Sequence, residues 1–341
     1  MSAPAPAPAL LELDEVEARF ALAASGLPLR RRRGGSVVAV AGVSLRLERG
    51  EMVALVGESG SGKTSTGHLA LRLLEPAAGR VRFDGEDVTA VHGRELRRLR
   101  RRMQLIYQDP YEALDTRCRV RAVLEEPLLI HHRGMARGER TMRVEQALAA
   151  VGLTPPEAFL SRHPHELSGG QRQRVAIAAS IMLEPEFVVA DEPVSMLDVS
   201  VRAEIMALLA GLCDAGMGVL LITHDLPTAA RYADRIAVMY LGRIVEQGTP
   251  TQVLERPAHP YTKALLAVTP RLDPLDRPER EALRGEVPDA SDVPAGCRFH
   301  PRCPVAVEHC RVEDPRLRPV APGDGEQDGH AAACILVAGD G

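Results

Sequence analysis

The loop Gly57-Glu58-Ser59-Gly60-Ser61-Gly62-Lys63-Thr64 constrains this chain more than any other stretch. It satisfies G-x-x-x-x-G-K-[ST] in full, with the apolar run 53–56 before it and a helix-compatible run at 64–74 after it. The glycines permit close backbone approach, so N–H groups and a helix N-terminus can cradle phosphates. In that chemistry Lys63 neutralises the β- and γ-phosphates and the Thr64 hydroxyl binds Mg²⁺, with Ser65 grouped beside them.

A phosphate loop of this type needs a carboxylate at the end of a neighbouring strand, and "FVVADEP" supplies two. Asp191 is expected to hold Mg²⁺, and Glu192 to polarise an attacking water by accepting its proton. His224 closes the apolar run "GVLLITHD", at the C-terminal edge of a parallel sheet where ligands of such sheets bind. Gln108 leaves another apolar run, in "LIYQDPY". A second small-residue turn, "HELSGGQRQRVA", sets Ser168, Gly169 and Gly170 at the start of a helix, again in the manner of an anion site.

The two fully apolar runs at 187–191 and 218–225, bounded by helical stretches, indicate a parallel sheet covered on both faces. A first strand is expected over 10–22, a hairpin over 79–88, a basic helix over 92–102, mostly helix over 110–185, and strand, glycine turn, strand over 235–248. At 341 residues the chain fits one large α/β domain with an appendage, or two domains. Only 3% of residues are aromatic and none is Trp, so the core must be built from Leu, Val, Ile and Ala. A net charge of −4 argues against a general polyanion binder. The basic runs at 30–33 and 94–102 stay open between solvated faces and contacts with nucleic acid or a partner. The N-terminal "MSAPAPAPAL" has no secretory pattern, and no run of about 18 apolar residues suggests a membrane span. A cytoplasmic chain is therefore expected, with its six cysteines free of structural disulfides.

Taken together, these pieces resemble the ATP-binding cassette (ABC) family over about residues 10–255. The motifs are Walker A at 57–64, the Q-loop Gln108, the signature "LSGGQ" at 167–171, Walker B at 187–192, the D-loop "SMLD" at 195–198 and the switch His224. Met196 stands where the family usually has Ala. The resemblance implies an α/β P-loop NTPase cassette: a RecA-like parallel sheet, an antiparallel β subdomain and a helical subdomain over about 110–180. It further implies ATP and Mg²⁺ as ligands, with Gln108 a catalytic residue and Mg²⁺ contact. Two cassettes would pack head to tail, so that Ser168, Gly169, Gly170, Gln171 and Asp198 of one face the ATP held by the other. The family's adenine-stacking aromatic has one candidate upstream of Lys63, Phe20, which either stacks the base or fills the sheet's edge.

"HPYTKALL" (259–266), "GCRFHPRCPVAVEHC" (296–310) and "HAAAC" (330–334) resemble the C-terminal extension of oligopeptide and dipeptide permease ATPases. The expected division is a lead over 1–9, the cassette over 10–255 and the extension over 256–341. The resemblance implies a peripheral ATPase on the cytoplasmic face of the membrane, energising di- or oligopeptide import. Its partners would be a second, related ATPase, two membrane permease subunits and an extracytoplasmic solute-binding protein, with no nucleic acid. Import of nickel or another solute by the same machinery is the alternative, and a soluble ABC ATPase acting on nucleic acid a further one. Cys297, Cys303, Cys310 and Cys334 are never spaced C-x-x-C. A metal site or a [4Fe–4S] cluster, which some relatives are thought to hold there, and four free thiols both stay open.

Overall fold

The computed structural model of the chain describes residues 8–21, 36–268, 288, 290–321 and 329–337. The basic run 30–33, residues 1–7 of the expected N-terminal lead and residues 269–287 of the extension lie outside the described residues. The chain divides into two units. The first comprises Met1–Leu47, Val53–Thr89 and Ile222–Gly341; the second comprises Glu48–Met52 and Ala90–Leu221.

The first unit begins with long strands in which apolar residues point one way. β1 (Leu11–Ala21) buries Leu11, Leu13, Val16 and Ala18, and β2 (Ser36–Leu47) pairs with it antiparallel from Leu11↔Leu47 to Ala21↔Ser36. The expected turn signal "ERGE" separates β2 from β3 (Met52–Val56), all five of whose residues are buried. The expected hairpin forms as β4 (Ala78–Phe83) and β5 (Glu86–Asp87), closed by Asp84 and Gly85 at φ +54° and +79°. Two positive φ angles suit a type I′ turn, which Asp-Gly accommodates at little cost. One sheet of this unit runs β2-β1-β4-β5.

The second unit carries β6 (Met103–Ile106) parallel to β7 (Phe187–Asp191), in register from Met103↔Phe187 to Ile106↔Ala190. Its helices bury residues at helical spacing: Val120, Leu124 and Leu128 on Val120–His131, and Val144 and Leu148 on Arg137–Ala150. The expected basic helix spans Gly93–Arg102 and buries none of its residues. Arg102 pairs with Glu186, and Arg101 lies 3.1 Å from His132. β8 (Gly218–Thr223) is wholly buried and crosses the boundary of the units.

Back in the first unit, β9 (Arg235–Tyr240) pairs parallel with β3, from Val53↔Arg235 to Val56↔Val238. β10 (Arg243–Gly248) turns back antiparallel to β9, through Leu241 and Gly242. β11 (Arg318–Pro319) and β12 (Ala331–Ala332) extend the edge, giving the order β11-β12-β10-β9-β3 within this unit. The extension is thus strand-paired to β10, which β9 separates from the phosphate loop's own strand β3.

A buried carboxylate fastens that extension. Glu246 on β10 has no exposed surface, yet it accepts the backbone N–H groups of Ala258 (2.7 Å) and His259 (2.9 Å). His330 Nε2 lies 2.8 Å from Glu246 Oε1 and must donate to it. Burial alone would push the Glu246 carboxyl up, but the donors from His330, Ala258 and His259 outweigh it and hold it low. His259 is buried beside it, and its Nδ1 accepts the Tyr261 N–H at 3.0 Å, which requires a neutral ring on that side. Burial lowers the His259 imidazole from the ordinary 6.5 to about 4.

A base that is harder to protonate folded than unfolded makes stability rise with pH between those two values. Stability is therefore full above about pH 6.5 and is lost as pH falls toward 4, by up to about 3 kcal/mol for His259. Calorimetry at pH 7 and pH 5 should show the lower melting temperature at pH 5. The difference should shrink in His259→Asn, whose amide oxygen can accept the same N–H without titrating.

Candidate active site

The phosphate-type loop is held by backbone lying on backbone. A Cβ at Gly57 would sit 2.2 Å from the carbonyl oxygen of Met239 on β9, and one at Gly62 would sit 2.2 Å from that of Ala39 on β2. Gly62 also takes φ +102°, which L side chains rarely adopt. Ser61 O accepts the Gly242 N–H at 2.7 Å, so the β9–β10 turn braces the loop from below. The expected helix runs Lys63–Ala70, ending short of residue 74, and its N-cap Gly62 offers no side-chain acceptor to the first turn. Lys63 is buried and its Nζ donates to the carbonyls of Gly57 (2.8 Å) and Glu58 (2.9 Å). Ser61 is buried too, and among the described residues its Oγ has no hydrogen-bond partner. An uncapped helix start, an ammonium folded into the loop and an orphaned hydroxyl together form a donor set that fits a polyphosphate. Gly60, Thr64 and Ser65 complete the loop, and Ser59 and Gly60 are exposed.

His224 follows β8 and is exposed, in the first unit. Its neighbours are fixed: Asp225 N–H donates to Thr223 Oγ1 at 3.0 Å, and the Asp225 carboxylate accepts from Thr228 N–H (3.3 Å) and hydroxyl (2.6 Å). That carboxylate caps the helix Leu226–Tyr232, so the imidazole stands at a strand-to-helix turn held on both sides. Phe20 sits near the end of β1, opposite Val37, with 43% of its surface exposed. It presents a ring to solvent and does not fill the core.

In the second unit, β7 ends at the buried Asp191, and Glu192 follows at φ +43°. A non-glycine residue in that region costs roughly 1–3 kcal/mol, and such strain gathers at functional positions. The Glu192 backbone is pinned by Ser195, whose N–H and hydroxyl donate to Glu192 O at 3.2 and 3.1 Å. Its carboxylate accepts from Gln108 Nε2 at 3.2 Å, so two residues 84 positions apart meet. Ser168 Oγ accepts from the Gln171 N–H at 3.3 Å, while Gln171 Oε1 accepts from the Ser168 N–H at 3.1 Å. This capping box starts the helix Gly169–Ile181. A Cβ at Gly170 would lie 2.7 Å from Val201 Cγ1, so the turn packs on the helix Val199–Asp214 that Asp198 caps. Asp198 accepts from the Val201 N–H at 3.0 Å and the Ser200 hydroxyl at 2.7 Å, and these bonds hold its carboxyl below the usual range.

The iron–sulfur expectation is not supported. Cys297, Cys303, Cys310 and Cys334 are free thiols, and among the described residues no group of three or more His, Cys, Asp or Glu side chains is arranged to hold a metal ion. Burial pushes the Cys297 thiol up to about 11 and raises Cys303 as well, with neighbouring cysteines adding to both shifts. The cysteines share a neighbourhood without forming a ligand set.

Sequence reasoning missed three residues. Tyr261 and Arg302 hold Glu58, the second residue of the loop, through Glu58 N–H to Tyr261 Oη (3.0 Å) and Arg302 to the Glu58 carboxylate (2.7 and 3.2 Å), and Tyr240 Oη lies 3.5 Å from Arg302 Nη1. Tyr261 and Arg302 belong to the "HPYT" and "HPRC" strings, whose only local signal was an aromatic or basic residue set among prolines.

Two family profiles match the chain: "ABC transporter" over residues 40–195 and "Oligopeptide/dipeptide transporter, C-terminal region" over residues 245–310. A dipeptide transport ATP-binding protein of Haemophilus influenzae is 44% identical over 302 residues, covering 88% of this chain and 90% of the relative. An oligopeptide transport ATP-binding protein of Bacillus subtilis is 40% identical over 331 residues, covering 96% and 97%. Among solved structures, a dimeric ATP-binding cassette in a post-hydrolysis state, bound to ADP and Pi, aligns with a TM-score of 0.62 at 29% identity, covering 70% of this chain and 98% of that one.

The crowding at Gly57 yields a measurable contrast. Gly57→Ala should destabilise the protein by about 3 kcal/mol or prevent folding, as overpacking against a carbonyl that cannot yield. Gly60→Ala meets nothing within 4 Å and should cost only about 1–2 kcal/mol for its left-handed backbone. Urea denaturation compares them, and equal losses would contradict the crowding.

Proposed function

This chain belongs to the ATP-binding cassette family, in the branch that carries the oligopeptide/dipeptide transporter C-terminal region, and from that premise we propose that it is the ATP-binding and ATP-hydrolysing subunit of an importer for di- and oligopeptides. Its fold is the α/β P-loop NTPase cassette. The observation that carries the cargo is the joint match of cassette and C-terminal region in one chain, with relatives named for dipeptide and oligopeptide transport. Those names favour peptides over nickel, and transport over action on nucleic acid.

In this reading the loop 57–64 with Ser65 binds the ATP phosphates, and Lys63 leaves the carbonyls of Gly57 and Glu58 to reach them. Mg²⁺, when bound, neutralises phosphate charge. Thr64, Asp191 and Gln108 are its proposed contacts. Glu192 accepts the proton of the attacking water; its hydrogen bond to Gln108 supports a carboxylate aimed by a polar neighbour. His224 contacts the γ-phosphate, and the exposed Phe20 stacks adenine. Ser168, Gly169, Gly170, Gln171 and Asp198 face the ATP of a second cassette.

The subunit sits peripherally on the cytoplasmic face of the membrane, with two permease subunits, a related ATPase and an extracytoplasmic binding protein as partners. Among the described residues no helix is long and apolar enough to cross a membrane, which suits a subunit that relies on separate membrane proteins. ATP binding closes the cassette pair and hydrolysis reopens it, a population shift that the permeases read.

Glu192→Gln should lower ATP turnover by about 10²–10⁴-fold while retaining ATP binding. Lys63→Ala should weaken ATP binding itself. Steady-state hydrolysis and equilibrium binding of a fluorescent ATP analogue separate the two effects, and wild-type turnover in Glu192→Gln would move the base elsewhere. Purification should recover integral membrane partners; salt-sensitive retention of nucleic acid in their place would favour the other class of ATPase.

A further inference from the structure

Glu58 is gripped through all three of its polar groups. Its N–H donates to Tyr261 Oη at 3.0 Å. Its carboxylate takes a two-pronged bond from Arg302, Nη1 to Oε2 at 2.7 Å and Nη2 to Oε1 at 3.2 Å. Its carbonyl accepts Lys63 Nζ at 2.9 Å. The Arg302 side chain is only 5% exposed, and its guanidinium also reaches Tyr240 Oη at 3.5 Å. Behind it, Tyr240, Tyr261 and Phe299 form a ring cluster with centroids 4.7, 5.3 and 5.4 Å apart, each ring essentially fully buried.

These contacts differ from an exposed ion pair. A planar guanidinium bound at two points by a carboxylate, largely out of water, fixes direction as well as distance. Burial pushes the Tyr261 phenol well above its ordinary range, so it stays neutral and accepts the Glu58 N–H as a fixed lone pair. Tyr261 and Arg302 both lie in the C-terminal part of the chain, whereas Glu58 and Lys63 lie in the phosphate loop; all four belong to the first unit. The Glu58 carbonyl that holds Lys63 is therefore placed by the extension.

We infer that Tyr261 and Arg302 are positioning residues for ATP: by clamping Glu58 they set the geometry of the phosphate loop, so that the C-terminal extension governs nucleotide affinity. The inference rests on the reading of residues 57–64 as the ATP site. Neither residue touches ATP in this account. Each acts through the Glu58 backbone, whose displacement moves the carbonyls of Gly57 and Glu58 that Lys63 exchanges for phosphate. A fused tail that served only solubility or partner docking would leave ATP affinity untouched.

The test uses the full-length chain and ATP competing against a fluorescent ATP analogue, with Lys63→Ala as the internal control. Arg302→Gln should weaken ATP binding about tenfold, and the loss should fall on KM for ATP more than on kcat. Arg302→Lys, which keeps charge but not the fork, should lie between it and the wild type. Tyr261→Phe removes one oxygen and should weaken binding about threefold. Glu58→Gln combined with Arg302→Gln should lose no more affinity than the worse single variant, because both remove the same bond. Unchanged affinity in folded Arg302→Gln and Tyr261→Phe overturns the inference; should Arg302→Gln fail to fold, Tyr261→Phe alone decides. Unchanged affinity in Lys63→Ala instead overturns the ATP-site reading.

Discussion

Backbone packed directly on backbone is the constraint on which the first unit depends. Gly57 lies against the carbonyl of Met239 and Gly62 against that of Ala39, so the phosphate loop touches a strand of each sheet in this unit. No side chain can be inserted at either place without moving β9 or β2. The loop's shape is consequently set by two strands distant in sequence, and the strands' spacing is set in turn by the loop. The hydrogen bonds around Gly242, from its N–H to Ser61 O and from Ala41 N–H to its own O, close that arrangement.

The extension is built on the same unit by a different kind of bond. Glu246 has no exposed surface and survives there because it satisfies two backbone N–H groups and His330 at once. A buried carboxylate is tolerated only when its lone pairs are filled, and filling them takes donors from residues 258, 259 and 330. Burial keeps the neighbouring His259 neutral. With β12 paired to β10 as well, the extension becomes part of the sheet's edge and no longer a loose appendage. Arg302 and Tyr261 then reach Glu58 from a rigid base.

The second unit places its chemistry mainly by helix caps. Ser168 with Gln171, and Asp198 with Val201, settle where two helices begin, and the contact of Gly170 with Val201 packs one start on the other. Glu192 is brought to Gln108 by the parallel register of β6 and β7, through residues that follow the two strand ends. Its left-handed backbone is a local strain that no sequence pattern announces.

The sequence by itself determined the motifs, their order and most of the elements that bear them. A phosphate loop needs glycines between a strand and a helix, and an apolar strand ending in Asp-Glu needs only its own five residues to be recognised. The Asp-Gly hairpin and the capped helix at Ser168 were equally local, because turn and cap chemistry is decided within four residues. The helix after the loop ended earlier than its composition suggested. What only the tertiary structure decided depends on meetings across the chain. The 84-residue gap between Gln108 and Glu192, the hold of Arg302 on Glu58 and the filling of Glu246 leave no periodicity to read. The cysteines make the same point from the other side: their spacing left a cluster open, and it took the packing to show that among the described residues no group of three or more such side chains is arranged to hold a metal ion. Local chemistry is written in local order, whereas desolvation and charge pairing exist only once distant residues are packed together.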